Sequence, residues 1–477
     1  MTTRRTKIVA SIGPSSDSPQ VLRSMIDAGM DVARIGLAHC TIDEAARRYH
    51  LVRNVAAETG KRVGVLVDLP GPRIRVADGG EAGFDLSEGQ TVVLRPGNDR
   101  STPEVIEVDY DQLLADLGPG DRLAFGSGTL VVSINDVDAS SATATVVHEG
   151  EIRGRPGLHI PSDRLSLQTP TPDDLRMLDV FVEEGVDMVA LSFVRSAHDL
   201  RRIGTEPHPR GPLVVAKIET RAAIENLAGI IEASAAIMVA RGDLGTECEI
   251  AELPHLQKTI IRECIASGLP VITATQMLES MIHSPMPTRA EASDVANAVF
   301  DGSSAVMLSA ETAIGQDPAL VVHTMAELAR RADEEFDHER WGQRLSELRL
   351  TGESDTAGSV TDAMTHAAWR AADELDISTL ICISGSGFTV RSMARFRPKA
   401  KILGFSVDER TVQQLALSWG VTPYLLEHDG TYEDRVKRAV AQSRDAGWIR
   451  SGDLVAVLAG IDHQARTTDV LRVVRVP

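Results

Sequence analysis

Eight short apolar runs, each followed by a segment with helical hydrophobic spacing, leave this chain few folds to choose from. The first three are "TKIVASIG", "MDVARIGLA" and "RVGVLVDL"; the other five are "VDMVALSF", "PLVVAKIET", "AAIMVARGDLG", "LPVITATQ" and "SSAVMLSAET". The segments between them carry helix punctuation. Ser18 precedes Pro19 and Gly29 closes "PQVLRSMIDA"; Gly60 ends "TIDEAARRYHLVRNVAAET"; Thr171 and Pro172 open "PDDLRMLDVFVEE". Strand–helix alternation implies a parallel sheet with helical crossovers, and eight βα units imply a (β/α)8 TIM barrel in an α/β chain. An open doubly wound sheet is the rival, but no G-x-G-x-x-G follows the first strand.

Two stretches break the alternation. Between 70 and 164 the runs "GQTVVLRP", "DRLAFGSGTLVVSI" and "ATATVVHEGEI" read as strands between Gly, Pro, Asp and Asn turns, with helical spacing only at "YDQLLADLG". This reads as a β-rich domain inserted into the barrel. The barrel thus occupies 1–69 and 165–340. A C-terminal α/β domain spans 352–477, from the helix "TDAMTHAAWRAADEL" and strand "STLICISGSG" to "VLRVVRV". The charged, polar segment "DEEFDHERWGQRLSELRLTGESDTAG" reads as the boundary before it.

The 477 residues carry 49 basic and 68 acidic side chains, a net charge of −19, which disfavours a general nucleic-acid or acidic-membrane binder. Cys40, Cys248, Cys264 and Cys382 form no C-x-x-C pair and read as free thiols in a reducing compartment. The N-terminus lacks a secretory apolar stretch, and no run reaches the roughly 20 apolar residues of a membrane helix. A soluble cytoplasmic protein is expected. The 13 histidines show no H-x-x-x-H or H-E-x-x-H spacing, which argues against a transition-metal site. Met277 and Met281 read as core residues on one helical face; Trp419 and Trp448 fit packing or effector contact equally.

Candidate chemistry gathers at the ends of the apolar runs. In "VVAKIET", Lys217 and Glu219 are two apart and share one face of a strand. The next run ends at Asp243, in what reads as a Gly-flanked turn. In a barrel, residues at the carboxyl ends of strands converge on the active site. Glu219 and Asp243 there suit a hard divalent cation such as Mg²⁺, and Lys217 suits a phosphate or a developing enolate oxygen. A buried Lys–Glu ion pair would give the same local pattern. Arg34 in "VARIGLAH", and Asp68, Arg73 and Arg75 in "VDLPGPRIR", add charges at two more strand ends.

At these residues the chain resembles the pyruvate kinase family. "TKIVASIGPSS", "AGMDVARIGLAH", "VDLPGPRIR", "KIET", "IMVARGDLG", "ATQMLESMIHSPMPTRAEASDVANAVFDGSSAVMLSAETAIG" and "SVTDAMTHAAW" run in the family's order over nearly all of the chain. The resemblance implies a barrel, a β-rich lid and a C-terminal α/β domain, usually as a tetramer. It implies phosphoryl transfer from phosphoenolpyruvate to ADP, giving pyruvate and ATP, with Mg²⁺ or Mn²⁺. By the same resemblance, Lys217 stabilises the transferring phosphoryl group and enolate, and Glu219 and Asp243 hold the metal. Arg34 binds the substrate phosphate, Arg75 reaches towards the nucleotide phosphates, and His39 touches the nucleotide. Thr275 belongs to the proton relay, Ser192 lines the same face, and the backbone of Ala240, Arg241, Gly242 and Asp243 receives the carboxylate ahead of a helix. The turn "SGSGFTVR", with Ser384, Ser386, Gly387, Phe388 and Thr389, matches the family's effector phosphate site; an ordinary βα loop would look similar.

The chain also departs from the family. Gly36, Ala38 and Leu69 replace an asparagine, a serine and a threonine whose oxygens, with Asp68, ligate K⁺ in potassium-dependent members. Such side chains cannot build a K⁺ site. Arg73 stands where those members have glutamate and potassium-independent ones have lysine, so K⁺ is not expected to be required. Pro70 and Pro156 replace lysines, with Arg153 or Arg155 available to compensate, and "GSG" at 126–128 replaces "D-D-G" in the lid. These changes lie on the nucleotide side. They leave open a related enzyme using enolate or phosphoryl chemistry on a different acceptor. A non-catalytic regulatory protein on the scaffold is a third reading, which the retained Lys217, Glu219 and Asp243 oppose.

Overall fold

The computed structural model describes residues 4–126, 128, 130–162, 164–349, 356–427, 430–460 and 468–477. Eight parallel strands close into a barrel: β1 (Lys7–Ser11), β2 (Val32–Gly36), β3 (Gly64–Leu69), β4 (Met188–Leu191), β5 (Leu213–Ile218), β6 (Ala236–Ala240), β7 (Val271–Ala274) and β8 (Ala305–Leu308). Each strand pairs with its sequence neighbours, and β1 closes the ring against β8 with Lys7 opposite Ala305. The eight runs in the sequence are these eight strands.

The helix signals act as the sequence implies. Ser18 accepts a hydrogen bond from the Val21 N–H, Pro19 opens the helix Pro19–Ala28, and Gly29 closes it at φ 121°. Thr41 and Glu44 form a capping box on Ile42–Thr59, and Thr171 and Asp174 form one on Pro172–Glu183.

Strand alternation divides the barrel into two apolar layers. Val9, Val32, Leu66, Met188, Ala190, Leu213, Val215, Met238 and Ile272 fill its interior. Their neighbours Ile8, Ala33, Val65, Val189, Ala216, Ile237 and Val271 pack outward against the helices. Ala416 and Leu417, from the C-terminal domain, join the interior layer at the amino end. That end is plugged by packed side chains, so only the carboxyl end can admit a substrate.

The insert is a β-domain with its own core. Its main sheet has the order Leu158–His159, Arg122–Phe125, Leu130–Val137, Ala142–His148, Thr91–Pro96, Val105–Val108. "YDQLLADLG" supplies one short helix, Leu113–Asp116. The C-terminal domain carries a five-stranded sheet, parallel except for the edge strand Val470–Arg475.

One expectation needs correction here, and the boundary segment adds an element that the sequence did not mark. The boundary segment contains a helix, His338–Arg349. Its Trp341 donates through Nε1 to the Arg395 carbonyl at 2.9 Å, and this contact with distant chain fixes a segment whose own composition is mostly polar. Part of that boundary segment, 350–355, lies outside the described residues. Met277 and Met281 are core residues, 0% and 2% exposed, but do not share a helical face. Met281 lies in a 3-10 turn, Glu279–Ile282, and the chain before Met277 has φ of 66° at Thr275 and 54° at Gln276, which no helix can continue through.

Candidate active site

The site is the next inward layer of the barrel. On β5, Leu213 and Val215 point into the interior, so Lys217 does too. By the same alternation Ser11 follows Val9, Arg34 follows Val32, Asp68 follows Leu66, and Ser192 follows Met188 and Ala190. Apolar side chains give way to polar ones on five strands at one height, the carboxyl end.

These residues meet. Lys217 Nζ lies 2.8 Å from Glu219 Oε1 and 3.4 Å from Asp68 Oδ1, and donates to Ser192 Oγ at 2.7 Å. Ser192 in turn donates to the Leu69 carbonyl at 2.8 Å. Arg34 grips Asp68 Oδ2 through Nε and Nη2, both at 2.7 Å, and reaches Ser11 Oγ at 2.8 Å. Burial opposes charge on Lys217, but Asp68, Glu219 and Asp243 outweigh it and raise its pKa. Burial likewise opposes charge on Asp68, and Lys217 and Arg34 overcome it and lower its pKa. Both groups are therefore ionised at neutral pH.

Glu219 has the opposite balance. Burial raises its pKa, Lys217 lowers it, Asp243 raises it, and the net shift is upward. Its Oε1 faces Lys217 Nζ at 2.8 Å, and its Oε2 accepts the Phe193 N–H at 2.6 Å. Phe193 holds φ 54° there, a left-handed conformation costly for an aromatic residue. Two carboxylates within electrostatic reach, one of them buried at the barrel mouth, fit a hard divalent cation. Glu219 and Asp243 would hold it.

Asp243 lies in the first turn of the short helix Arg241–Glu247 rather than in a Gly-flanked turn. The helix begins directly at the end of β6, so Ala240–Asp243 form its N-terminal backbone. The Gly242 N–H donates to Thr275 Oγ1 at 2.8 Å, and Thr275 Oγ1 donates to the Ala274 carbonyl at 2.7 Å. The Arg241 side chain turns away from the cleft. It bonds the carbonyls of Ala274 at 3.2 Å and Thr275 at 2.6 Å and pairs with Asp294 at 2.7 Å. It thereby clamps the strained backbone that presents Thr275.

Lys217, Glu219, Asp243, Ser192, His39, Arg73 and Arg75 line one cleft of about 270 Å³ between the barrel and the inserted domain. Burial, with Arg73, Arg75 and Arg34 nearby, lowers the pKa of His39, so it enters the cleft neutral. Arg73 Nη1 lies 3.5 Å from the Ala38 carbonyl and is within electrostatic reach of Asp68, Asp243 and Glu219. Arg75 Nη1 donates to the Arg155 carbonyl at 3.1 Å. Neither proposed substitute for the lost lysines enters the cleft: Arg155 pairs with Asp109 at 2.9 Å, and Arg153 donates to the Glu81 carbonyl at 2.7 Å. Ser127 of the altered "GSG" lies outside the described residues. Gly71, at φ 70°, is where the chain leaves the barrel; a Cβ there would come within 2.9 Å of Phe193 and 3.0 Å of Ser192.

In the C-terminal domain, Gly387 at φ 74° caps the short helix Phe388–Ala394. Arg391 Nη2 donates to the Ser386 carbonyl at 3.0 Å and Ser384 N–H to Phe405 at 2.9 Å. The Thr389 hydroxyl is engaged with Thr468 at 2.6 Å. Sequence reasoning missed Ser11, which steadies Arg34, and His159, Ser162 and Glu247, which meet at the cleft wall. Their partners lie far apart in the chain, and no local signal marks them.

A barrel whose open end holds a buried lysine between acidic groups, arginines and a helix start, all beside an inserted β-domain, defines a class. It is an enzyme for a small, highly anionic substrate on which negative charge develops at oxygen. Comparison with known proteins makes the class particular. The family model for the pyruvate kinase barrel domain matches residues 3–322, and that for the pyruvate kinase alpha/beta domain matches 362–474. The pyruvate kinase of Geobacillus stearothermophilus is 37% identical over 477 residues, covering 98% of this chain and 80% of the relative. Those of Bacillus licheniformis and Clostridium acetobutylicum are 35% and 34% identical over 475 residues, covering 98% of this chain and 80% and 99% of the relatives. The chain belongs to the pyruvate kinase family and is a phosphotransferase of that type.

Proposed function

We propose that this protein transfers the phosphoryl group of phosphoenolpyruvate to ADP, giving pyruvate and ATP, with Mg²⁺ or Mn²⁺ and without K⁺. The observation that carries the reading is Lys217, ionised and buried, with Nζ 2.8 Å from Glu219 at the barrel mouth. Phosphoryl transfer demands positioning and charge stabilisation more than covalent catalysis. Lys217 supplies positive charge where the phosphoryl group leaves and the enolate oxygen forms. Arg34, held by Asp68 and Ser11, orients the substrate phosphate. The backbone at the start of the helix Arg241–Glu247, with the Asp243 N–H, receives the carboxylate. A divalent cation held by Glu219 and Asp243 would supply Lewis-acid neutralisation of the anionic oxygens. Thr275, aligned by the Gly242 N–H and the Arg241 clamp, passes a proton to the enolate carbon.

Arg73 replaces potassium in this scheme. Its guanidinium lies beside the Ala38 carbonyl, where the family's serine stands, and within reach of Asp68. Arg75 and His39 meet the nucleotide phosphates. The Ser384–Thr389 turn takes a phosphorylated effector, and the protein works as a cytoplasmic homotetramer. Among the described residues, no helix is long and apolar enough to cross a membrane.

A second reading has its own support. With Arg153 and Arg155 paired elsewhere and Pro156 in place of lysine, the acceptor side is poorer in cations than the donor side, which favours an acceptor other than ADP. Pyruvate formation from phosphoenolpyruvate and ADP, measured with K⁺ and with a large inert cation, tests both. Equal turnover in the two salts, abolished in Lys217→Met, is expected. Turnover requiring K⁺ refutes the Arg73 assignment, and no turnover in either salt refutes ADP as acceptor.

A further inference from the structure

The inserted domain ends on a two-residue edge strand, Leu158–His159, paired antiparallel to Arg122–Phe125. Alternation along this stretch is strict. Leu158 and Ile160 sink into the core of the inserted domain, 5% and 1% exposed. His159, between them, must face the other way. It faces the barrel helix Arg241–Glu247, and its Nε2 lies 2.9 Å from Glu247 Oε1. Ser162, where the chain returns to the barrel, donates its N–H to Glu247 Oε1 at 2.9 Å and its hydroxyl to Oε2 at 2.7 Å.

Glu247 also reaches back into the catalytic scaffold. Its Oε2 accepts the Arg221 N–H at 3.1 Å, two residues beyond Glu219. Glu247 closes the helix whose first turn presents Gly242 and Asp243. The residue before it, Thr246, donates to the Asp243 carbonyl at 2.7 Å and meets the tip of the inserted domain, where a Cβ on Gly128 would lie 3.4 Å from its methyl group. The Glu247 side chain is 4% exposed and carries four contacts, three of them from His159 and Ser162. A carboxylate so buried and so fully used is costly to disturb on one side only.

We propose that Glu247, His159 and Ser162 form a latch that seats the inserted domain on the barrel mouth and couples its position to Asp243. These are positioning residues; none touches the reacting atoms. The kinetic part of the proposal rests on the kinase reading, whereas the structural part does not.

Hydrogen–deuterium exchange on the full-length protein tests the latch directly, with steady-state kinetics alongside. His159→Ala should speed exchange of amides across 157–166 about tenfold and raise KM for ADP about tenfold, with kcat within about threefold. His159→Asn, a shorter side chain that still donates a hydrogen bond, should restore most of both. Glu247→Gln should act in the same direction, and adding His159→Ala to it should change little more. Unchanged exchange in both single variants, or fully additive effects, overturns the latch. If His159→Ala fails to fold, Ser162→Ala decides by the same exchange measurement. A wild-type protein that makes no pyruvate but shows the exchange pattern would sink the kinase reading and uphold the latch.

Discussion

Asp68→Asn separates a carboxylate that organises the site from one that merely neighbours it. Asp68 is 3% exposed and faces two cations, Arg34 at 2.7 Å and Lys217 at 3.4 Å. At an effective dielectric constant near 20, these distances correspond to attractions of about 6 and about 5 kcal/mol. The net loss is smaller. Asparagine keeps the shape and one acceptor oxygen, and Lys217 keeps Glu219 at 2.8 Å. Arg34 keeps Ser11 and at most the amide oxygen, and loses its carboxylate partner. Removing one partner of a buried pair costs about 3–5 kcal/mol, and the Arg34 side chain, 22% exposed, lets water screen some of this. About 3 kcal/mol is therefore expected, seen as a fall of about 3 °C in Tm for a chain of 477 residues. With Arg34 no longer fixed, kcat/KM for phosphoenolpyruvate should drop about a hundredfold, near 2.7 kcal/mol of transition-state stabilisation. Differential scanning calorimetry and a coupled pyruvate assay measure the two effects. A Tm within about 1 °C of wild type together with kcat/KM within about threefold would refute the organising role of Asp68.

Arg73→Glu should lower kcat about a hundredfold and recover only slightly in K⁺, because Gly36, Ala38 and Leu69 offer no side-chain oxygens; full rescue by 100 mM-scale K⁺ would contradict the substitution argument. Glu219→Gln should raise the Mg²⁺ concentration for half-maximal activity at least about tenfold, read from Mg²⁺ titrations at saturating phosphoenolpyruvate, and an unchanged Mg²⁺ dependence would remove Glu219 from the metal site. At the junction of barrel and C-terminal domain, burial, followed by the Arg5 charge, lowers the His338 pKa from 6.5 to about 4. The unfolded chain then binds a proton that the folded one refuses, so this contribution is complete above pH 6.5 and is lost as pH falls towards 4. Thermal unfolding across that window should lose on the order of 2 kcal/mol, and His338→Gln should flatten the loss; an identical pH slope in the variant would assign it elsewhere.

What the sequence made legible was whatever a strand or helix decides within its own length. Alternation alone put Arg34, Asp68, Ser192 and Lys217 on inward positions, because each continues a row begun by Val32, Leu66, Ala190 and Val215. Caps at Ser18, Thr41 and Thr171 fixed helix starts for the same local reason. Misreadings occur where a distant partner overrides local preference. Asp243 sits in a helix rather than a turn because the Gly242 N–H is claimed by Thr275, 33 residues on. Met277 misses a helical face because Arg241 clamps the carbonyls before it. The helix His338–Arg349 in the boundary segment is likewise tied to distant chain, its Trp341 indole N–H donating to the Arg395 carbonyl. The compensation expected from Arg153 and Arg155 fails for this reason too, since Glu81 and Asp109 hold them outside the cleft. The donor side of the site is built from strand parity, and the acceptor side from contacts between segments. Substitutions on the donor side would break the barrel's own charge balance, whereas those on the acceptor side fall partly on an inserted domain that carries its own core. That difference fits the retention of Lys217, Glu219 and Asp243 beside departures at Pro156 and the tip beside Thr246, whereas Gly36, Ala38, Leu69 and Arg73 depart together at the barrel mouth.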